Sequence, residues 1–287
     1  MFEGTFTALV TPFKPGEQEM DFDALDSLVE WQLESGINGF VVGGTTGESA
    51  TLSTEEKLAQ LKRVVEVVSG RVPIIAGTGS NNTAQTIEYT KLAKDCGVDA
   101  ALVVNPYYNK PSQEGLFQHC SQTAAQGGLP VVLYNIPGRT AVEILPETFS
   151  RLAKVDGIVA VKQAVDSVSK LLEIVEAVDG GMDILAGDDT LTFTAMTVGG
   201  KGVISASANA MPREMLAITD AGLKGDFESS CKAQVAALPK MRALFSETNP
   251  TPVKEALKIM AKIPHAGVRL PLVPVEEGTT QILRELF

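Results

Sequence analysis

The sequence predicts an α/β fold: a closed (β/α)8 TIM barrel carrying a C-terminal helical appendage. Two observations carry this. Eight short apolar segments alternate with stretches of helical periodicity, the arithmetic of eight βα units in about 210 residues. The alternation then stops near Met211, and the rest of the chain is helical only. A doubly wound open sheet is the competing architecture, because alternation alone does not prove closure. Two glycine-rich segments weigh against its nucleotide-binding versions. Gly77-Thr78-Gly79 lacks the third glycine of a dinucleotide fingerprint, and Gly43-Gly44-Thr45-Thr46-Gly47-Glu48 lacks the P-loop lysine.

The apolar segments span residues 6–10, 39–46, 72–77, 100–106, 130–137, 157–165, 183–188 and 202–208. After the first, Leu25, Leu28, Val29 and Leu33 line one helical face, which Gly36 closes. After the second, Ser53 and Glu56 have capping-box spacing and open a helix bearing Leu58, Leu61, Val64, Val65 and Val68, closed by Gly70. Gly97, Gly127 and Gly180 close later helical patterns. Pro146 and Pro212 sit where a first helical turn accepts proline. Beyond the alternation, 227–245 and 252–263 are the clearest helical segments, parted by Asn249-Pro250-Thr251-Pro252. The domain reading is a barrel over 1–222 and a helical domain over 223–287.

Composition narrows the partners. At 287 residues, 44% hydrophobic and 21% charged, the chain can bury a sizeable core. Its net charge of −11, with no basic stretch, argues against nucleic acid and anionic membrane. An anionic substrate must therefore be held by a few local donors. No signal-like opening and no run near the ~20 apolar residues of a membrane span is visible. Cys96, Cys120 and Cys231 are scattered, without metal-ligand spacing. Cytoplasm is the expected location.

In a closed barrel, chemistry gathers at the C-terminal ends of the strands. Lys162 ends the run Ile158-Val159-Ala160-Val161, and Ala164 and Val165 come just after it. Scarce water disfavours the charged form of an ammonium, and a free amine is what Schiff-base chemistry with a carbonyl requires. A strand-end lysine that snorkels or pairs with a carboxylate is the plainer alternative. The segment Gly43–Glu48 reads as a small anion cradle suited to a carboxylate, or as a turn leading into the Ser53 cap. Segments four and five end in Asn105-Pro106-Tyr107-Tyr108 and in Tyr134-Asn135-Ile136-Pro137-Gly138-Arg139. Strand-end tyrosines usually pack. Tyr134 stands out because Arg139 comes within one loop of it, joining a proton-transfer hydroxyl to a bidentate carboxylate anchor. His119 and His265 stand alone and read as ordinary polar positions. Asp188 and Asp189 lack a histidine or third carboxylate, so they read as a helix cap and hydrogen-bond scaffold.

Together, G-G-T-T-G-E at 43–48, Y-N-I-P at 134–137 and the strand-end Lys162 resemble the class I aldolase family of dihydrodipicolinate synthase and N-acetylneuraminate lyase. Further matches are Pro106-Tyr107-Tyr108-Asn109-Lys110-Pro111, Gly138-Arg139-Thr140, Gly187-Asp188-Asp189, Gly202-Val203-Ile204-Ser205 and Asn249-Pro250-Thr251-Pro252-Val253-Lys254. The resemblance covers essentially the whole chain, in order. It implies that Lys162 condenses with the ketone of pyruvate while Thr46 and nearby amides hold its carboxylate. Tyr134 would shuttle protons, relayed by Thr45 and Tyr108, and Arg139 would anchor the carboxylate of aspartate semialdehyde. Gly187 and the Ile204 backbone would line the pocket. Tyr108 would enter a neighbouring subunit's site, so a homodimer or homotetramer is implied. The resemblance implies no metal or organic cofactor, and its metabolic setting is lysine and diaminopimelate biosynthesis.

Within the family, Arg139, the tandem Thr45-Thr46 and Tyr108 point to the synthase branch. Neuraminate lyases tend to place a serine first in the threonine pair and to lack this arginine. Gln163 departs from the usual glutamate after the lysine, and Val165 from a common small hydroxyl residue. Lysine-inhibited members use an asparagine and a glutamate at positions matching Asn81 and Gln85, together with Ser49 and Tyr107. Gln85 lacks the charge to pair with an α-ammonium, so lysine inhibition is expected to be weak or absent. A 2-keto-acid sugar aldolase is the sister reading. A catalytically silent carboxylate-binding barrel is the reading from a different class.

Overall fold

The computed structural model describes residues 2–165 and 167–287. Eight parallel strands close into a barrel in chain order: β1 (Gly4–Ala8), β2 (Gly39–Val42), β3 (Ile74–Gly77), β4 (Ala100–Val104), β5 (Val131–Asn135), β6 (Ile158–Gln163), β7 (Asp183–Ala186) and β8 (Gly202–Ser205). Closure is made by β8 against β1, from Gly4 opposite Gly202 to Thr7 opposite Ser205. Between strands run α1 (Phe22–Glu34), α2 (Thr54–Val68), α3 (Thr83–Asp95), α4 (Gln113–Gly127), the short turn α5 (Pro137–Thr140), α6 (Pro146–Leu152), α7 (Val168–Val178) and α8 (Thr192–Thr197). After β8 come α9 (Pro212–Leu223), α10 (Phe227–Leu244), α11 (Thr251–Ile259) and α12 (Glu277–Leu286).

Strand side chains alternate between two apolar layers, as a period of two demands. Inside the barrel pack Phe6, Val41, Ile75, Leu102, Val132 and Leu185. The other face, with Phe40, Ile74, Val103, Leu133 and Val161, packs against the helices. That outer core runs on without a break into the appendage through Met241, Leu244, Val253, Leu257 and Leu283. Because the barrel interior is filled, a small molecule can reach the chemistry only at the mouth.

The start signals hold. Ser53 and Glu56 make both bonds of the capping box, and Pro146 and Pro212 are the first residues of their helices. The stop signals hold with one shift. Gly36, Gly70, Gly97 and Gly180 all have positive φ, but Gly127 remains helical and Gly128 takes the left-handed turn at φ 77°. β1 is as long as its segment but starts two residues earlier, and the other strands are shorter than theirs: residues 43–46 leave the ladder as a loop, and after Ser205 the chain enters a single 3-10 turn over Ser207–Asn209. At the first of these, backbone meets backbone. A Cβ on Gly77 would sit 2.3 Å from the Gly43 carbonyl oxygen, so only glycine lets these loops cross. The second tail segment also ends early, at Ile259 and not near 263, and the last helix, α12, has no clear sequence signal.

The appendage is tied to the barrel by charge as well as by packing. Lys254 on α11 donates to Glu48 Oε1 at 2.8 Å, with both side chains essentially without solvent exposure. Breaking such a pair from one side costs about 3–5 kcal/mol, because the other charge is left buried. Arg269 grips Glu56 through two bonds of 2.6 and 2.9 Å and the Glu17 carbonyl at 2.8 Å. Among the described residues, no helix is long and apolar enough to cross a membrane.

Candidate active site

Lys162 is the fifth residue of β6 and, with Ala160, faces the barrel interior. Only 7% of its surface is exposed. Its register partner on β5 is Tyr134, itself buried, and the lysine Nζ lies 4.3 Å from the centre of the tyrosine ring. Ile204, two strands further round the barrel, is fully buried in the same interior layer. The strand-end lysine therefore does not snorkel outward. It sits in an apolar floor beside a phenol.

Around that floor the loops supply polar groups. After β2, Glu48 N–H donates to the Thr45 carbonyl at 3.0 Å, making a turn with Thr46 and Gly47 at its centre. Thr46 is buried, and its Oγ1 accepts from Asn249 Nδ2 at 2.9 Å. Sequence reasoning does not single out Asn249. Its signals are a place in the Asn-Pro-Thr-Pro break, which reads as a helix boundary, and membership of the 249–254 segment that matches the family, neither of which gives it a role. Past the ends of β5, β6 and β7 opens a cavity of about 990 Å³, lined among others by Ile136, Arg139, Val165, Gly187, Asp188 and Asn249, while Lys162, Tyr134, Thr45 and Thr46 are not among its lining residues. Arg139 is exposed on α5 at its edge. Gly187 packs so closely on β6 that a Cβ would lie 2.8 Å from that of Ala164, and its N–H donates to the Gln163 carbonyl at 2.7 Å.

The two aspartates after β7 are scaffold. Asp188 Oδ1 accepts from Thr190 N–H at 2.8 Å and from its hydroxyl at 2.7 Å. Asp189 accepts from Ser207 N–H at 2.8 Å, tying the β7 and β8 loops together, and burial raises its carboxyl above the usual range. Gln163 faces away from Lys162, as strand alternation requires. It accepts from Asn135 Nδ2 at 3.0 Å, and Asn135 accepts from Asn105 Nδ2 at 2.8 Å, so three buried amides brace the ends of β4, β5 and β6. Its Oε1 completes that chain, while its Nε2 is buried without a hydrogen-bond partner. Val165, by contrast, borders the cavity itself.

Not every predicted residue reaches this floor. Tyr108 is 91% exposed and held at φ 73°, so within one chain it is a surface residue. Ser49, Gln85 and Tyr107 line a separate cavity of about 470 Å³ with Thr54, Lys57 and Tyr89. Asn81 stands at its edge and donates to the Tyr107 carbonyl at 3.1 Å. Lys57 lies 5.4 Å from the Tyr89 ring centre, and burial lowers its ammonium pKa. Gln85 is occupied by the Ser80 hydroxyl at 2.6 Å. His119 is buried on α4 and bonds Thr83 at 2.9 Å, and His265 bonds Glu17 at 2.6 Å; both are structural positions.

Known proteins agree on the family. The Dihydrodipicolinate synthetase family matches residues 1–287. The chain belongs to that family. A 4-hydroxy-tetrahydrodipicolinate synthase of Syntrophobacter fumaroxidans is 47% identical over 285 residues, 99% of this chain and 97% of that protein. Among solved structures, the chloride-inhibited dihydrodipicolinate synthase from Acinetobacter baumannii complexed with pyruvate superposes with a TM-score of 0.97 at 42% identity, covering 99% of this chain and 97% of that one. A monomeric dihydrodipicolinate synthase variant superposes with a TM-score of 0.96 at 41% identity, covering 99% and 95%. Of the motifs that carried the resemblance, the strand-end lysine and Tyr134 are paired across β5 and β6, while Tyr107 and Tyr108 lie away from them within one chain.

Proposed function

We propose that this chain condenses pyruvate with L-aspartate 4-semialdehyde through a Schiff base on Lys162, the reaction of 4-hydroxy-tetrahydrodipicolinate synthase in lysine and diaminopimelate biosynthesis. The observation that carries the reading is the burial of Lys162 against Tyr134 in a barrel whose relatives bear that name.

The Lys162 amine attacks the ketone of pyruvate, and water leaves as the iminium forms. The iminium is an electron sink that acidifies the methyl group; a methyl proton passes to the Tyr134 relay, the C–H electrons flow to nitrogen and an enamine results. Tyr134 is the proton carrier. A free phenol has a pKa near 10, so it works through a relay, with Thr45 and a neighbouring subunit's Tyr108 as its links. Thr46, oriented by Asn249, and the nearby amides hold the pyruvate carboxylate. The enamine carbon attacks the aldehyde, whose own carboxylate is held by Arg139 at the cavity edge. The substrate amine then displaces Lys162 by transimination and closes the ring. Gly187 and the Ile204 backbone shape the pocket. No metal or organic cofactor is called on.

The working form is a homodimer or homotetramer in the cytoplasm. The 91% exposure of Tyr108, in a backbone conformation that a tyrosine adopts only under constraint, fits a side chain waiting for a second copy. The test is consumption of pyruvate by the purified chain in the presence of aspartate semialdehyde, coupled to a downstream reductase. Turnover with the semialdehyde and none with N-acetylneuraminate or a 2-keto-3-deoxy sugar acid supports the assignment. Cleavage of a sugar acid without semialdehyde turnover reverses it in favour of the sister aldolases.

A further inference from the structure

The turn that carries Thr45 and Thr46 is closed by a strained residue. Glu48 occupies the left-handed region at φ 54° and ψ 35°, a conformation natural to glycine or asparagine and costly for other side chains. Nothing local requires glutamate there. What keeps it in place is long-range: Oε1 accepts from Lys254 Nζ at 2.8 Å, and Oε2 accepts from the Arg269 N–H at 2.9 Å. Both side chains of the ion pair are within 1% of complete burial. Lys254 is further held by the Gly267 carbonyl and by the Phe13 ring, whose centre is 4.3 Å away. Five residues earlier, Asn249 donates to Thr46 Oγ1 at 2.9 Å. Helix α11 and its approach therefore grip the turn at two points, Thr46 and Glu48.

A buried ion pair is weak evidence for stability, because an apolar pair of similar volume often does as well. Its geometry here serves another end. The left-handed φ and ψ of Glu48 turn the chain back so that Ser49 N–H donates to the Gly44 carbonyl at 3.3 Å, closing the loop around both threonines, and releasing Glu48 from that state breaks this closure and displaces them. We propose that the Glu48–Lys254 ion pair is a positioning device for pyruvate, by which a helix of the appendage fixes the shape of the loop that receives the substrate carboxylate. This rests on the assignment of Thr46 to that carboxylate.

Two double variants separate position from mere stability. Glu48→Gln with Lys254→Met removes both charges, keeps the volume and leaves a residue that disfavours the left-handed state. Glu48→Gly with Lys254→Met also removes both charges but restores a residue at ease in that state, while leaving a larger hole. The readout is the fraction of Lys162 reduced by borohydride as a function of pyruvate concentration, with the KM for aspartate semialdehyde measured alongside. The glutamine variant is expected to need about tenfold more pyruvate for half-saturation, with the semialdehyde KM within about twofold of the parent. The glycine variant is expected to recover most of that loss. The proposal is overturned by a glutamine variant with the parent's pyruvate dependence, or by one that no longer folds, since the pair would then carry stability and not position. A glycine variant that performs no better than the glutamine variant overturns it as well. Trapping of pyruvate on the unaltered chain is the control for the underlying function: if Lys162 there is unlabelled, it is the Schiff-base reading that fails.

Discussion

Tyr134 and Lys162 are direct register partners across β5 and β6, and the lysine nitrogen lies 4.3 Å from the centre of the tyrosine ring. The ladder enforces this closeness, since register partners on adjacent parallel strands point to the same face of the sheet, here the barrel interior. A one-residue slip of β6 would turn Lys162 to the helix face and part it from Tyr134. The amine and the phenol ring thus share one small region of the barrel interior.

Replacing Tyr134 by phenylalanine keeps the ring and removes the hydroxyl. Steady-state kcat is expected to fall by about 10²–10³, the scale of general acid–base assistance, while pyruvate still reaches Lys162. A Tyr134→Phe enzyme with parental kcat would remove the tyrosine from the mechanism.

Arg139 is exposed at the cavity edge, apart from the buried lysine, so its role divides cleanly from imine formation. Arg139→Gln is expected to raise the semialdehyde KM roughly tenfold to a hundredfold, the worth of a lost charge-assisted bidentate pair. Borohydride trapping of pyruvate should be unchanged. An equal loss in both measurements would mean that Arg139 supports the fold of the site instead.

The cavity lined by Ser49, Gln85 and Tyr107 also presents Lys57, a cation whose ammonium pKa burial lowers. A ligand bearing an ammonium meets Lys57 and a neutral amide at position 85, and Glu88 is the one carboxylate among the residues that line this cavity. With no charge at position 85 and a cation at Lys57, activity is expected to stay above half at about 1 mM lysine, an order-of-magnitude threshold set by the charge-assisted bond that Gln85 does not supply. Gln85→Glu should increase sensitivity. Half-inhibition of the parent enzyme at sub-millimolar lysine would contradict this.

His119 gives the fold an acid limit. Burial pushes its imidazole down to about 4 from 6.5. The folded protein keeps it neutral while the unfolded chain takes up a proton as pH falls through 6.5. The stability is thus complete above that value and is lost on the way down to about 4, by roughly 3 kcal/mol in all. His119→Gln should flatten the difference in unfolding midpoint between about pH 7.5 and pH 4.5. If the slope is unchanged, other groups set the acid limit.

Much of the barrel is legible in local pattern. Eight apolar runs, the Ser53 capping box and the proline starts are short-range signals, and each survives in the folded chain. What pattern cannot supply is what distance in sequence hides. Asn249 reaches Thr46 across 203 residues, and Lys254 reaches Glu48 across 206. Neither contact has a periodic signature. Gly127 against Gly128 is a one-residue ambiguity that two adjacent glycines leave open. Strand ends are overextended in the sequence because glycine-bearing loops such as 43–46 continue apolar character after the ladder has ended. Gln163 is conspicuous beside Lys162 but cannot be oriented without the sheet, which turns it into the amide chain with Asn135 and Asn105.

Treatment with pyruvate and borohydride, followed by peptide mass analysis, decides whether Lys162 is the nucleophile. The expected result is a single adduct, one reduced pyruvate unit on the peptide containing Lys162, and loss of that adduct together with all turnover in Lys162→Ala. An unmodified Lys162, or an alanine variant that keeps its turnover, would refute Schiff-base catalysis at this residue.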